Sequence, residues 1–158
     1  MEMPRASQKV VEAAARAGLE IEVREFPEGT KTAADAAAAI GCAVAAIVKS
    51  LVFLVDGAAV VALVPGDRRL ETGALAGVAG GVTVGRADLD TVRRATGYAA
   101  GGTPPFGHAT SLRVFADLAL ERHDPLWAAA GTPTTVFPIS PTDLDRLVSP
   151  VWAELSRP

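Results

Sequence analysis

The stretch Leu51-Val-Phe-Leu-Val55, Asp56-Gly57, Ala58-Ala-Val-Val-Ala-Leu-Val64 decides the fold. Two apolar runs of strand length flank an Asp-Gly pair, and that pair can take the positive φ angles of a type I′ turn. The reading is a β-hairpin, ended by Pro65. The whole span from Ile47 to Val64 is apolar enough to suggest a membrane segment. Lys49 and Asp56-Gly57 interrupt it well short of the ~20 residues that a membrane helix needs, so the hairpin belongs to a soluble core.

Working outward, Val10, Val11, Ala14 and Ala17 recur at helical spacing and Gly18 stands at a terminating position, so residues 7–17 read as an amphipathic helix. Residues 21–26 alternate as a strand. Thr32-Ala-Ala-Asp35 opens a second helix as a capping box does, running to Gly41. After the hairpin, residues 68–81 read as helix then turn, and residues 88–95 as a helix stopped by Gly97. Strands follow near 113–116, 126–130 and 135–139. Ser140-Pro141-Thr142-Asp143 then offers an N-cap, a proline at the first helical position and an acid at the third, for a last helix to Val148. Helices and strands mix without βαβ alternation. The expected class is α+β, with a mixed, largely antiparallel, barrel-like sheet flanked by helices in one domain over residues 1–158.

With 158 residues, 49% hydrophobic and 21% charged, the chain is globular in composition. One cysteine, Cys42, allows neither an internal disulfide nor a CxxC site, which favours a reducing compartment such as the cytoplasm. The first eighteen residues carry Lys9, Glu12 and Arg16 and lack the apolar core of a signal peptide. The formal charge of −3 provides no basic field for DNA, and any RNA contact must be local. Among fifteen cationic residues only Lys9, Lys31 and Lys49 are lysines.

Lys49 stands with Ser50 as the sole polar pair between Ala43 and Val55, on the same strand face as Leu51, Phe53 and Val55. Such a lysine either snorkels to water or has a fixed partner or ligand, because an unpaired ammonium is costly to bury. Gly97 to His108 holds four glycines and two prolines around Tyr98 and Phe106, which reads as a long shaped loop. Its Gly101-Gly102-Thr103-Pro104-Pro105-Phe106-Gly107 segment is either a surface turn or a backbone that approaches a ligand and offers amides to an oxygen. It is no Walker loop. His108 and His123 form no metal-ligand spacing with Cys42 and the scattered acids, so no metal or other cofactor is expected. His108 either fixes its loop or meets substrate. Ser50 lacks a nucleophile-elbow setting, and Asp117 reads as a turn cap or as an acid at a sheet end.

Thr32-Ala-Ala-Asp35, Ile47-Val-Lys49-Ser-Leu51-Val-Phe53, Ala95-Thr-Gly97-Tyr98 and Gly101 to Gly107, taken in this order with the closing Phe137-Pro-Ile-Ser-Pro-Thr-Asp-Leu144, resemble the YbaK/EbsC/ProX family of trans-editing deacylases. That family is similar to the editing insertion of bacterial prolyl-tRNA synthetases. The resemblance covers about Ser7 to Val148.

The resemblance implies hydrolysis of the ester between a mischarged amino acid and the terminal ribose of tRNA, with water as nucleophile helped by a substrate hydroxyl. The family's lysine matches Lys49, and its Gly-x-x-x-Pro loop matches Gly101 with Pro105. These carry the implied catalytic roles of Lys49 and Gly101, with Gly102, Thr103, Pro105, Phe106, Gly107 and His108 as implied substrate contacts. The implied partners are the aminoacyl-tRNA 3′ end and a prolyl-tRNA synthetase, with neither DNA nor a membrane. The loop departs from the Gly-Gly-Cys-Ser-Pro-Ile-Gly pattern of the Cys-tRNA branch, which points to a small residue such as alanine on tRNA(Pro). A capture module that binds aminoacyl-tRNA without turnover, or a protein that docks on a synthetase, remain as alternatives.

Overall fold

The computed structural model describes residues 2–27 and 32–158. Its centre is the hairpin, β2 (Ile47–Val55) and β3 (Ala58–Pro65), paired antiparallel from Val55↔Ala58 back to Val48↔Pro65. Asp56 and Gly57 take φ of 50° and 83°, the pair of positive values that a type I′ turn demands. The strand begins four residues before the expected Leu51, which brings Lys49 into the ladder opposite Val64. Alternate side chains of the hairpin enter two separate apolar clusters. Val48, Val52, Val61 and Leu63 face one, Phe53, Val55 and Val60 the other. Burial on both faces explains why this stretch is apolar at almost every position.

Helix α1 (Arg5–Arg16) covers the first cluster with Val10 and Ala14. β1 (Arg24–Glu25) is only a two-residue ladder, shorter than the strand expected over 21–26. Ile21 and Val23 instead spend their apolar surface on packing against the core. α2 (Ala33–Ile40) is capped by Thr32, whose hydroxyl accepts from the Asp35 amide at 3.0 Å, and Gly41 closes it in the left-handed conformation. Lys31 lies outside the described residues.

After the hairpin comes a short β4 (Arg69–Leu70), then α3 (Thr72–Ala79), β5 (Val84–Arg86) and α4 (Leu89–Thr96) capped by Asp88. β6 (Arg113–Asp117), β7 (Leu126–Ala129), β8 (Thr135–Ile139), α5 (Pro141–Val148), β9 (Val151–Ala153) and β10 (Ser156–Arg157) complete the chain. The main sheet runs β1-β8-β7-β2-β3-β6-β9, with β5 also on β2 and a separate β4-β10 pair. The class is α+β with a mixed sheet, as expected. Its path ends at β1 and β9 and does not close into a barrel.

One edge of β2 is shared by two strands. β7 runs parallel to its start, at Ile47 and Val48, and β5 antiparallel to its end, from Phe53 to Val55. Among the described residues no strand pairs with residues 49–52 on that edge. Because Val55 and Ala58 close the two-residue turn as a bonded pair, the odd-numbered residues of β2 bond to β3. Ser50 and Val52 therefore turn their backbone N–H and C=O groups toward the gap. The gap positions the site.

Candidate active site

Lys49 is half-buried beside this gap. Its Nζ donates a 2.6 Å hydrogen bond to the Arg68 carbonyl in the turn that follows β3. That turn is itself held: the Arg68 guanidinium donates from Nε to the Ser156 hydroxyl and from Nη2 to the Ser156 carbonyl, both at 2.8 Å. The Ser156 hydroxyl donates at 2.6 Å to Asp117 Oδ2, which also accepts from the Leu155 amide, while Oδ1 accepts from the Ala119 amide. Asp117 is therefore the cap that one reading of the sequence assigned, and through Ser156 it braces the lysine's acceptor. One carbonyl leaves the ammonium with two further donors. Burial pulls the Lys49 pKa below the ordinary lysine range, with Asp67 opposing that shift and Arg69 adding to it.

A cavity of about 310 Å³ opens in front of the lysine, at the lower end of the usual range for ligand sites. Lys49, Ser50 and Leu51 form one side. Ala33 and Ala36 of α2 form another, and the β7–β8 corner supplies Trp127, Ala128, Thr132 and Val136. From the glycine-rich loop, Ala100 and Gly101 reach the wall. The structure thus places Lys49 and Gly101, 52 positions apart in the chain, on one cavity.

The rest of the loop is its foundation. Gly102 accepts from the Gly131 amide at 2.9 Å, and a Cβ there would lie 2.7 Å from the Gly131 carbonyl carbon and oxygen. Only glycine permits that approach, which fixes Gly101 beside Pro133. Thr103 turns its hydroxyl back to the Ala99 carbonyl. Pro105 is buried, and Phe106 packs edge-on against Phe137 in the core, with 5.6 Å between ring centres. Gly107 takes φ of 72°, and His108 Nε2 bonds to the Pro104 carbonyl at 2.8 Å, so Nε2 carries the proton in the neutral ring. Burial holds the His108 pKa below its usual value. Gly102, Thr103, Pro105, Phe106, Gly107 and His108 are not among the residues that line this cavity. Cys42 is a partly buried free thiol packed against the α2 cluster, and burial raises its pKa.

Both strands of the β7–β8 corner were expected from the sequence, but its place in the cavity wall was not. Thr132 and Thr135 share a 2.7 Å hydroxyl contact, and Thr135 also receives the Ser7 hydroxyl and donates to the Ala130 carbonyl. The Ser7 link joins distant parts of the chain, and a Gly-Thr-Pro turn gives no local sign of it.

The sequence model for the aminoacyl-tRNA editing domain matches residues 27–147, which contain the cavity's whole wall. The chain belongs to the aminoacyl-tRNA editing domain family. The editing-domain chain is 29% identical over 140 residues to the uncharacterized protein YwhH of Bacillus subtilis (strain 168), covering 87% of this chain and 88% of that one. It is 39% identical over 93 residues to a proline–tRNA ligase of Geobacter sp. (strain M21), a match to 59% of this chain but only 16% of the ligase. A solved structure of a protein proposed as a trans-editing enzyme for prolyl-tRNA synthetase superposes on the editing domain with a TM-score of 0.94. The two are 37% identical, over 99% of this chain and 100% of that one.

Proposed function

We propose that this editing domain acts in trans, as a hydrolase that removes a small, wrongly attached amino acid from the 3′ end of tRNA. The observation that carries the reading is the meeting of Lys49 and Gly101 on one cavity with largely apolar walls. In that setting an ammonium and loop amides hold the negative charge that develops on the ester carbonyl oxygen as water attacks its carbon, in surroundings where such contacts are stronger than in water. The carbon–oxygen bond to the ribose then breaks and the ribose oxygen takes up a proton. The amino acid leaves as its free acid. Gly101 and Lys49 are the residues assigned to this step.

The alanine-rich walls, Ala33, Ala36, Ala128 and Ala129 with Ile47 and Val136, favour a short side chain. With the likeness to part of a proline–tRNA ligase, this supports alanine on tRNA(Pro) as substrate, in the cytoplasm where tRNA is charged. Pockets of this kind separate neighbours differing by one methylene by only ~1–3 kcal/mol, so activity should fade gradually from alanine to 2-aminobutyrate and larger residues. The test is deacylation of a panel of mischarged tRNAs by the purified protein. Turnover is expected on small residues. Binding without turnover would identify a capture module instead, and a strict preference for cysteine would overturn the substrate assignment.

A further inference from the structure

A second cavity, of about 240 Å³, adjoins the first. Ser50, Leu51 and Ala100 line both, and the second adds Val52, Phe53, Arg86, Ala87, Leu89 and Val92. The two lie along the gap in the β2 edge, with Ser50 at their junction. We propose that the second cavity holds the terminal nucleoside of the tRNA, its ribose at Ser50 and its base against Leu89 and the Arg86 guanidinium. This rests on the deacylase reading and extends it.

Four observations converge on this occupant. The Ser50 hydroxyl is buried and has no hydrogen-bond partner among the described residues, an arrangement that costs stability unless a ligand supplies one. A ribose hydroxyl both donates and accepts, and the backbone groups of Ser50 and Val52 face the same gap. Leu89 is 75% exposed at the first position of α4, a large apolar side chain kept in water at the rim of a cavity. Arg86 is exposed and forms no ion pair among the described residues. Unpaired bases stack on apolar side chains and on guanidinium planes, and an arginine here also provides the local positive charge that a chain of net charge −3 lacks overall. Finally, an aminoacyl ester has the same two-part form as the paired cavities, with the reacting bond between its parts.

The experiment titrates adenosine 5′-monophosphate into the isotopically labelled protein and follows amide shifts, with deacylation kinetics alongside. The expected shifts fall on Phe53, Arg86, Leu89 and Ala100. Leu89→Ala and Arg86→Ala should each weaken binding of this nucleotide about ten-fold and raise KM for mischarged tRNA to match, with kcat nearly constant. Ser50→Ala should erase the wild-type preference for the nucleotide over its 2′,3′-dideoxy form, which a purely structural serine would leave intact. Shifts that map elsewhere, or variants that retain both nucleotide affinity and KM, would overturn the proposal. The two failures are distinguishable. A wild-type protein inactive on every mischarged tRNA removes the deacylase reading, while the nucleotide map reports on the second cavity regardless.

Discussion

Lys49 holds the Arg68 carbonyl at 2.6 Å, and Arg68 is in turn anchored to Ser156 by two hydrogen bonds from its side chain. The lysine is thus aimed by a backbone group whose position depends on the last few residues of the chain. Ser156→Ala removes the hydroxyl that links Arg68 to Asp117, and kcat for deacylation should fall several-fold while KM changes little. Asp117→Ala goes further, since it strands the buried Leu155 and Ala119 amides. Each unsatisfied group costs ~1–3 kcal/mol, so urea unfolding should show a loss of about 3 kcal/mol.

Gly102 tests the foundation of the loop. A methyl group there meets the Gly131 backbone at 2.7 Å, and neither partner is a flexible side-chain end that could move aside. Gly102→Ala should cost ~1–3 kcal/mol, as other overpacked substitutions do. It should also lower activity by shifting Gly101 relative to Lys49. Gly73→Ala, with open space around its added Cβ, is the control that should leave thermal stability nearly unchanged or improved.

His108 predicts a pH effect on stability. Burial disfavours its charged form, so its pKa in the fold lies below the 6.5 of an ordinary histidine. As pH falls below about 6.5 the unfolded chain takes up the proton first, and stability that is fully present above that value is lost down to the lower folded pKa. His108→Gln can keep a donor to the Pro104 carbonyl and does not titrate. The drop in melting temperature between pH 7.5 and pH 5 should be smaller in this variant than in the wild type.

Much of the fold was legible because its signals are local. Asp56-Gly57 fixed the hairpin, while Thr32 and Ser140 capped helices where expected and Gly41 and Gly97 closed them. β5, β9 and β10 were not legible, since ladders of two or three residues are too short to show alternation. The sequence reading put helix at Arg69-Leu70, but these residues pair with Ser156 and Arg157, a tertiary contact that overrides local preference. At the site, the isolation of Lys49 in an apolar run was visible, and the loop residues drew notice through their glycines and prolines. Nothing in the chain signals that Gly101 forms the lip while residues 102–106 lie buried behind it, because that division is set by contacts with Gly131 and Phe137. The lone Ser50 hydroxyl was equally silent.

The lowered pKa of Lys49 carries its own expectation. If the ammonium is the working form, deacylation should turn down on the alkaline side at a pH below the 10.5 of an ordinary lysine, because burial favours loss of its proton. The measurement is the pH profile of single-turnover rates, corrected for spontaneous ester hydrolysis. A rate that continues to rise through that range would assign the work to a neutral group.

The most direct test of the account is single-turnover deacylation of mischarged tRNA by Lys49→Ala, with thermal melts of the same preparation. Loss of a charge that stabilises the transition state in a shielded pocket should slow the reaction by roughly a hundred- to a thousand-fold, as removal of an oxyanion donor does. The melting temperature should change little, because taking a half-buried ammonium off an apolar face offsets the lost hydrogen bond to the Arg68 carbonyl. Lys49→Arg should recover little, since a planar fork does not replace a compact ammonium. Near wild-type turnover by Lys49→Ala, or a loss explained by unfolding, would contradict the central claim and leave Lys49 as a structural residue.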